Sequence, residues 1–295
     1  MPIVYFCERC QKIYSPEEYK RNRFCKDCGK YLSEKWVNEV EDTLVPKHIS
    51  NDERDAIAEH IVNWYKNKYK KDGELENKIL NEIQVNTIEG RIDVVILAIL
   101  FSEWAMKEER AYKLWKMIKH WCKSNHISYF EVFSGNNEEI HQAFNKFSTR
   151  IKLPSKFPIK MKETLKNLDR YGGDLNGLVN PESWTLTLLN IRDQCKGVYQ
   201  KAFWIARVMR EKKAWNVPGE LCCVSDSHNK ALLLKTGFVT STENLFENSK
   251  IMWKYFNEPF NEHYYDLSLF RFARDHKCKT CKLISCNFKQ LKKCT

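Results

Sequence analysis

Eight of the twelve cysteines lie in two groups near the two ends of the chain, and this arrangement constrains the fold more than any other feature. The first group is Cys7-x2-Cys10, fourteen intervening residues, and Cys25-x2-Cys28. Each Cys-x2-Cys turn can present two thiolates to one metal ion, and four thiolates are a ligand set of structural zinc. The pattern therefore predicts a zinc ribbon over residues 1–35, with all four cysteines binding Zn²⁺. Because four thiolates fill the coordination shell, we expect a structural or contact role.

The second group has the spacing Cys278-x2-Cys281-x4-Cys286-x7-Cys294. It is surrounded by six lysines, at positions 277, 279, 282, 289, 292 and 293. The irregular gaps favour a compact loop around a [4Fe-4S] cluster, with residues 278–294 as the cluster loop. A second zinc ion is the alternative, and an unmetallated basic tail is a third interpretation. The remaining cysteines have no ligand spacing and are predicted to be buried thiols: Cys122, Cys195, Cys222 and Cys223.

The composition favours an intracellular globular protein with a polyanionic partner. The chain of 295 residues is 43% hydrophobic and has a formal net charge of +11. This charge predicts nucleic-acid binding, although a merely lysine-rich surface is the alternative. Residues 1–7 lack the features of a signal peptide, and the longest apolar run, residues 94–101, is too short to cross a membrane. We therefore expect a location in the cytoplasm or nucleoid, where reduced cysteines bind metals rather than form disulfides.

The hydrophobic periodicity of residues 45–295 is mostly helical, and few segments alternate with a period of two. Residues 94–101 are apolar all round and predict a buried central helix. Asn180-Pro181 predicts the start of another helix, with Asn180 as its N-cap. Further helices are predicted at residues 52–69, 108–122 and 137–147. The fold class predicted for this body is all-α.

Two apolar helices joined by a short turn form the most informative part of this body. The turn is Lys196-Gly197-Val198-Tyr199-Gln200, between apolar residues at 184–191 and at 202–209. Backbone N–H groups in such a turn, together with the positive end of the following helix, can bind a phosphate. The turn could also be an ordinary connection between two helices. The candidate nucleic-acid contacts are Lys196, Gly197, Val198 and Tyr199.

Lys201 begins the second of these helices, and Asp226 precedes a further helix after an apolar run at residues 221–224. By itself, Lys201 could be a surface lysine and Asp226 could be a helix N-cap. Together, an amine and a carboxylate at two adjoining helix starts are the pair needed to attack a sugar carbon and form a Schiff base. We therefore interpret Lys201 and Asp226 as candidate catalytic residues.

These motifs resemble those of the helix-hairpin-helix DNA glycosylases, the superfamily of endonuclease III and 8-oxoguanine glycosylase, over about residues 85–294. Gly197-Val198-x2-Lys201 is similar to the hairpin motif Gly-Val/Ile-Gly-x-Lys, and Asp226-Ser227-His228 resembles the Asp-x-His around the catalytic aspartate of the family. Residues 91–102 resemble its first core helix, and residues 267–274 resemble the helix that leads into the iron–sulfur cluster of endonuclease III.

The chain departs from the family pattern at several positions. Tyr199 stands where the family hairpin usually has a second glycine, and Lys196 stands where it often has proline. Trp104 lies in the region where the family often carries a DNA-probing glutamine. The gaps x2, x4 and x7 differ from the x6, x2 and x5 of endonuclease III clusters, and the zinc ribbon is not a general family feature. The resemblance is therefore to a divergent member.

The resemblance implies a two-subdomain helical fold and base-excision repair of double-stranded DNA with damaged bases or abasic sites. A damaged nucleotide would be flipped out of the duplex by a monomeric glycosylase with associated AP lyase activity. Lys201 would form the Schiff base at C1′, and Asp226 would stabilise positive charge on the sugar. The alternative is a non-catalytic zinc-ribbon, helix-hairpin-helix protein that binds nucleic acid without cleaving it.

The two cysteine groups predict two different metal contents. Anaerobically purified protein should be brown and contain about four iron ions and about one zinc ion per chain, because the two spacings favour different centres. Replacing Cys278 or Cys281 should remove iron and colour and weaken DNA binding, since the nearby lysines lose their fixed positions. Replacing Cys7 or Cys25 should remove zinc alone. Metal analysis and absorption spectra measure both outcomes, and a colourless protein with zinc but no iron would reject the cluster.

Overall fold

The computed structural model describes residues 3–7, 12–14, 19, 22–24, 32–36, 49–70, 74–103, 106–260, 266–278 and 286–293. The described residues before 37 contain a small β-sheet, and those from 49 onward form a helical body. Trp104, noted in the sequence for its position after the central helix, lies outside these ranges.

A three-stranded antiparallel sheet occupies the N-terminal segment. Its strands are β1 (Ile3–Cys7), β2 (Lys12–Tyr14) and β3 (Ser33–Trp36), in the order β2-β1-β3. Cys7 of β1 pairs with Lys12 of β2, and Phe6 of β1 pairs with Ser33 of β3. The end of β1 and the starts of β2 and β3 therefore lie at one end of the sheet.

From residue 49 onward, the described residues contain no β-strand, which confirms the predicted all-α body. The helices are α1 (Asn51–Lys68), α2 (Glu74–Glu82), α3 (Ile88–Ser102), α4 (Glu108–Asn125), α5 (Tyr129–Val132), α6 (Asn137–Phe147), α7 (Phe157–Asp169), α8 (Trp184–Gln194), α9 (Lys201–Glu211), α10 (Ser227–Lys235), α11 (Leu245–Phe256), α12 (Asp266–Asp275) and α13 (Phe288–Lys292). Short 3₁₀ turns cover Leu175–Leu178, Gly219–Leu221 and Glu258–Phe260. None of the helices in the described ranges has the length and apolar character that crossing a membrane requires.

The central helix α3 is enclosed by protein on all sides, as its apolar sequence predicts. Every residue from Gly90 to Leu100 is buried, and α4, α7 and α9 pack against the helix. The Thr87 hydroxyl caps α3 by accepting a hydrogen bond from the N–H of Gly90 at 3.0 Å. A Cβ added at Gly90 would lie 1.9 Å from the carbonyl oxygen of Gln84. Glycine at this position therefore allows the preceding turn to pack against the helix.

The helix start predicted at Asn180-Pro181 is wrong. The helix α8 begins at Trp184, and its N-cap is Ser183, whose hydroxyl accepts a hydrogen bond from the N–H of Leu186 at 3.3 Å. The Asn180 side chain accepts from the N–H groups of Glu182 and Ser183, at 2.9 and 3.0 Å. Asn180 therefore closes a turn before the helix, because asparagine satisfies backbone N–H groups in turns as well as at N-caps.

The helical body has two hydrophobic cores. The first core is formed by α2 to α9. The second core combines α1 with α10, α11, α12 and α13, and is therefore discontinuous in the chain. Cys222 and Val224 pack in the first core and Cys223 packs in the second. The segment immediately before Asp226 therefore lies on the border between the two cores.

A buried arginine connects the two cores. Arg207 on α9 is 4% exposed. Its Nη2 lies 2.5 Å from Glu76 Oε1 on α2, and its Nη1 lies 3.0 Å from Asp266 Oδ1 on α12. The other oxygen of Asp266 accepts a hydrogen bond from the Val224 N–H at 3.0 Å, on the border segment. Burial raises the pKa of the Asp266 carboxyl, and the neighbouring Arg207 partly offsets this rise. This network holds α2, α9 and α12 against one another.

We predict that Arg207→Met lowers the free energy of unfolding by about 3–5 kcal/mol at pH 8, since Asp266 and Glu76 lose their buried counter-ion. The pKa of the Asp266 carboxyl is already raised, and it would rise further without Arg207. The carboxyl would then be protonated more readily in the folded state. A carboxyl whose pKa is higher in the folded than in the unfolded state stabilises the folded protein at low pH. This stabilisation is lost as the pH rises through the pKa of the folded state. Arg207→Met should therefore lower the free energy of unfolding by less at pH 5 than at pH 8.

Urea denaturation at the two pH values measures this effect. The matched control is Lys123→Met, which removes an exposed cation at the far end of α4 and should leave stability nearly unchanged at both pH values. A loss for Arg207→Met as small as that of the control would contradict the role of the network.

Candidate functional site

The predicted hairpin is present as two helices joined by a tight turn. The helix α8 ends at Gln194 and α9 begins at Lys201. Within the turn, the N–H of Val198 donates to the carbonyl of Cys195 at 3.3 Å, and the N–H of Lys201 donates to the carbonyl of Val198 at 2.8 Å. Two of its residues have a left-handed backbone, Gly197 with φ 81° and Tyr199 with φ 43°.

Hydrogen bonds from neighbouring helices fix this turn and use some of its backbone groups. The N–H of Lys196 donates to the Thr164 hydroxyl on α7 at 2.8 Å, so it is not available to a ligand. The Ser102 hydroxyl at the end of α3 donates to the carbonyl of Ala98 at 2.8 Å and also lies 3.3 Å from the carbonyl oxygen of Val198. Three other backbone N–H groups of the turn have no acceptor in the described part of the chain: those of Gly197, Tyr199 and Gln200. These three N–H groups, and not that of Lys196, are the available donors.

A cation that the sequence analysis missed lies beside the turn. A Cβ added at Gly197 would lie 2.8 Å from Cδ and 3.1 Å from Nζ of Lys160 on α7. Lys160 Nζ in turn lies 2.6 Å from Glu103 Oε1. Because Gly197 has no side chain, the Lys160 side chain can pack against the backbone of the turn. No local sequence pattern could reveal Lys160, because it comes from a different helix.

Lys201 occupies the first turn of α9 and is half-buried. The residues around it in sequence, Val198 and Phe203, are fully buried in the first core. Its amine lies within electrostatic range of the Asp266 carboxylate and lowers the pKa of that group, after the larger effects of burial and of Arg207.

Asp226 is the N-cap of α10, and only one of its carboxylate oxygens performs this role. Oδ1 accepts hydrogen bonds from the N–H groups of His228 and Asn229, at 2.8 and 2.9 Å. Oδ2 has no hydrogen-bond donor among the described residues. Asp226 is half-buried. The structural and the chemical interpretations of Asp226 are therefore compatible, because each uses a different oxygen atom.

Polar atoms without partners cluster around Asp226. Ser225 and Asn229 are each 2% exposed, and the Ser225 hydroxyl and the Asn229 carbonyl oxygen have no hydrogen-bond partner in the described residues. The same holds for Nδ1 of His228 and for Nε of Arg192 on α8. Buried polar atoms are almost always hydrogen-bonded in folded proteins, so a cluster of unpaired ones indicates a place where water or a ligand binds. The sequence analysis did not identify these groups.

Lys230 connects this cluster to the hairpin. Burial lowers the pKa of its amine, the nearby Arg192 lowers it further, and Asp226 opposes the shift. Arg192 lies in the last turn of α8, directly before the hairpin turn. Arg192 and Asp226 therefore both lie within electrostatic range of the Lys230 amine.

Lys201 and Asp226 are related indirectly, through Asp266. Val224, two residues before Asp226, donates its N–H to Asp266. Asp266 is also the carboxylate whose pKa the Lys201 amine lowers. This relation through Asp266 is the structural basis for considering Lys201 and Asp226 together.

The predicted zinc ribbon is described only in part. Cys7 is fully buried at the end of β1, whereas Cys10, Cys25 and Cys28 lie outside the described residues. The N–H of Leu32 donates to the carbonyl of Arg23 at 2.9 Å, which joins the two ends of the segment that contains the second cysteine pair. In sequence, the first pair follows β1 and the second pair precedes β3. The zinc site stays a prediction.

The C-terminal cysteine group is also described in part. Cys278 and Cys286 are buried in the second core, 5% and 7% exposed, while Cys281 and Cys294 lie outside the described residues. The N–H of Cys286 donates to the carbonyl of Lys235 at the end of α10 at 2.7 Å. Within the described ranges, no three histidine, cysteine or acidic side chains form a metal-binding group. The common core of Cys278 and Cys286 fits a four-thiolate centre, and the choice between iron and zinc stays a prediction.

The four remaining cysteines are buried, as predicted. Cys195, Cys222 and Cys223 have no exposed surface, and Cys122 is 6% exposed. Burial raises the pKa of the Cys195 and Cys222 thiols to about 12. These thiols are therefore protonated at neutral pH and are not nucleophiles.

Comparisons of the chain with protein-family models, with curated proteins and with solved structures find no match. The resemblance of the hairpin and of Asp226-Ser227-His228 to the glycosylase superfamily stays a prediction, and function is inferred from the site itself.

Tyr199 is 65% exposed, more than any other large hydrophobic side chain in the described residues, and its backbone is left-handed. A left-handed conformation costs a residue other than glycine about 1–2 kcal/mol. We predict that Tyr199→Gly leaves the free energy of unfolding unchanged or raises it by about 1 kcal/mol, yet weakens DNA binding because the exposed ring is lost.

Chemical denaturation and fluorescence anisotropy with a labelled duplex separate the two effects. Leu186→Ala is the control, since it removes another exposed apolar side chain, 47% exposed, from the first turn of α8. A Tyr199→Gly protein that binds DNA as tightly as the wild type would remove Tyr199 from the binding surface.

Proposed function

We propose that the protein is a base-excision DNA glycosylase with associated AP lyase activity. The observation that carries this proposal is the site at the border of the two cores. There the Lys201 amine lies within electrostatic range of Asp266, which is hydrogen-bonded to Val224 two residues before Asp226, and Asp226 caps α10 with Oδ1 alone. An amine together with a carboxylate beside an anion-binding turn is the equipment that Schiff-base chemistry on a DNA sugar needs.

The hairpin would bind the phosphate backbone next to the damaged nucleotide. The unpaired N–H groups of Gly197, Tyr199 and Gln200 precede α9, whose N-terminus carries partial positive charge. The Lys160 amine, which is paired with Glu103 at 2.6 Å, lies beside Gly197 and can add a hydrogen-bond donor. Contacts of this kind position a DNA strand without reading its sequence. The net charge of +11 favours the same partner through long-range attraction.

The chemistry would begin with a nucleotide turned out of the duplex toward the border of the two cores. The Lys201 nitrogen would attack C1′ with its lone pair, so that a bond from nitrogen to C1′ forms while the bond from C1′ to the base breaks. The base leaves with the bonding electron pair and takes up a proton, and Asp226 Oδ2 receives the proton that the amine loses. Opening of the sugar ring gives the Schiff base. Loss of a C2′ proton then breaks the C3′–O bond and nicks the strand.

The two cysteine groups would have structural roles in this protein. The ribbon cysteines Cys7, Cys10, Cys25 and Cys28 would hold Zn²⁺, and the second group would hold the [4Fe-4S] cluster or a second zinc ion. Either centre would fix the positions of the lysines around Cys278 and Cys286 for contact with DNA. Neither is needed to move a proton or break a bond in the reaction described.

The second candidate function is a non-catalytic protein that binds abasic or damaged DNA. Tyr199 favours this alternative, because an exposed ring replaces the glycine that the family hairpin usually has at this position. Borohydride trapping on duplexes with different lesions separates the two functions. A glycosylase with lyase activity becomes covalently linked to the DNA, whereas a binding protein retains abasic DNA uncut.

We predict that Lys201→Ala abolishes borohydride trapping and strand cleavage while folding and DNA affinity are retained, because Lys201 supplies the attacking amine. Lys196→Ala and Lys230→Ala are the matched controls, since each removes another amine near the site. Both controls should still be trapped. Loss of trapping in the Lys230 variant, with normal trapping in the Lys201 variant, would transfer the nucleophile to α10.

We predict that Asp226→Asn reduces base excision by at least about a hundredfold, the scale of losing one electrostatic contact in a transition state. Its stability should stay close to that of the wild type, because the amide oxygen still caps α10. Asp226→Ala should in addition lose about 1 kcal/mol of stability. Single-turnover excision and urea denaturation measure both effects, and near-normal excision by the Asn variant would leave Asp226 with the capping role alone.

A further inference from the structure

A basic pocket lies at the start of α4, outside the site described above. Its volume is about 510 Å³. Five of its lining side chains are cationic: Lys107, Arg110 and Lys113 at the start of α4, and Arg150 and Lys152 after α6. Glu109 is the single acidic residue that lines it. The pocket thus concentrates positive charge in a concave surface.

The five cations of this pocket are exposed and have no counter-ion in the described part of the chain. Other lysines on the same helix are paired. Lys116 lies 2.5 Å from a carboxylate oxygen of Glu82, and Lys119 lies 2.7 Å from one of Asp93. The α4 helix therefore has its unpaired cations on the face that lines the pocket. Keeping like charges together costs free energy, which a bound anion would offset.

The backbone of α4 adds to this positive charge. Lys107 is the N-cap of an 18-residue helix, and its side chain makes no capping hydrogen bond. The helix dipole gives the N–H groups of the first turn a partial positive charge, which favours an anion at this end. Phosphate binds well where such groups and cationic side chains converge.

The pocket lies close to the hairpin. The end of α3 contacts the turn through the bond from Ser102 to Val198. The N–H of Met106 donates to the carbonyl of Glu103 at 3.2 Å, which closes a turn whose ends are less than about 7 Å apart. Lys107 is the next residue, so its Cα lies within about 11 Å of that of Glu103. A duplex that touches the hairpin could reach the pocket within a few base steps, at about 3.4 Å each.

The second core also approaches the start of α4. Arg271 Nη2 on α12 lies 3.8 Å from Glu108 Oε2. The neighbouring Phe270 ring contacts the His228 ring at 5.4 Å, beside Asp226. The helix α12 therefore contacts both the start of α4 and the residues beside Asp226.

We infer that this pocket binds backbone phosphates of the DNA duplex, several nucleotides away from the phosphate at the hairpin. This inference rests on the proposed DNA-binding function and extends it, because the protein then holds a longer stretch of duplex than the active site alone requires. The ligand is a phosphodiester backbone, and its sequence is not read.

Phosphate-by-phosphate neutralisation of the DNA tests the inference. The probe is a labelled duplex with a central non-cleavable abasic analogue, in which single phosphates are replaced by uncharged methylphosphonates. The variant is Arg110→Gln/Lys113→Gln. The control is Lys123→Gln/Lys146→Gln, which has the same change in charge at exposed positions, with Lys123 about 24 Å along α4 from Lys107.

We expect the wild type and the control to lose affinity on neutralisation at two separate groups of phosphates. Neutralising the phosphates farther from the abasic site should not change the affinity of the pocket variant. Neutralising the phosphates nearest the abasic site should weaken its binding as much as it weakens that of the wild type. The slope of log affinity against log salt should fall by about two for the pocket variant, at roughly 0.9 per lost contact, and by much less for the control.

Equal sensitivity of the pocket variant and the wild type at every phosphate would overturn the inference. An unchanged slope of log affinity against log salt in the pocket variant would also overturn it. The same holds if the pocket variant loses affinity for free inorganic phosphate or for RNA but keeps its affinity for the DNA duplex. The proposed chemistry is tested separately by trapping. Normal trapping by the wild type, with a pocket variant that stays sensitive at the outer phosphates, would reject only the pocket. A pocket variant insensitive at the outer phosphates, with no trapping by the wild type, would reject only the lyase reaction.

Discussion

The ion pairs of Arg207 determine how the two halves of the helical body sit against each other. A guanidinium group fits this role, because its planar fork can meet carboxylates on two different elements at once. It binds Glu76 on α2 and Asp266 on α12, at 2.5 and 3.0 Å. Lys201 lies on the same helix as Arg207, about 9 Å earlier at 1.5 Å per residue. Fixing the guanidinium therefore also fixes the position of the helix that carries Lys201. A buried ion pair is costly in free energy, and its value here is the single orientation that it selects.

Much of the fold could be predicted from the sequence, because helices report their burial through local periodicity. The limits of α6 agree with the predicted residues 137–147, and residues 94–101 are buried on all sides. The start of α8 was not predictable from Asn180, since asparagine binds backbone N–H groups in turns and at N-caps alike. The candidate site was only half predictable. Lys201 and Asp226 follow from motifs, whereas Lys160 and Arg192 reach the site through tertiary packing and have no local sequence pattern.

Asp226 illustrates why a structural and a functional interpretation of one residue need not compete. Helix capping uses Oδ1, and Oδ2 is left without a donor in the described residues. The capping bonds also hold the carboxylate in one orientation, which is what a group that stabilises developing charge requires. The unpaired Ser225 hydroxyl and Asn229 carbonyl oxygen next to it are a cost to stability that a bound ligand can recover.

The first core lies in sequence between the two segments that form the second core, and this order has a consequence for synthesis of the protein. The first core is continuous in the chain, so it can form while later residues are still being translated. The α1 helix is made before it, but its partners α10 to α13 follow it. The apolar face of α1 must therefore wait, through translation of the whole first core, for the helices that cover it. Lys201 belongs to the part of the chain that can fold early, whereas α10, which Asp226 caps, packs in the core that needs the C-terminal helices.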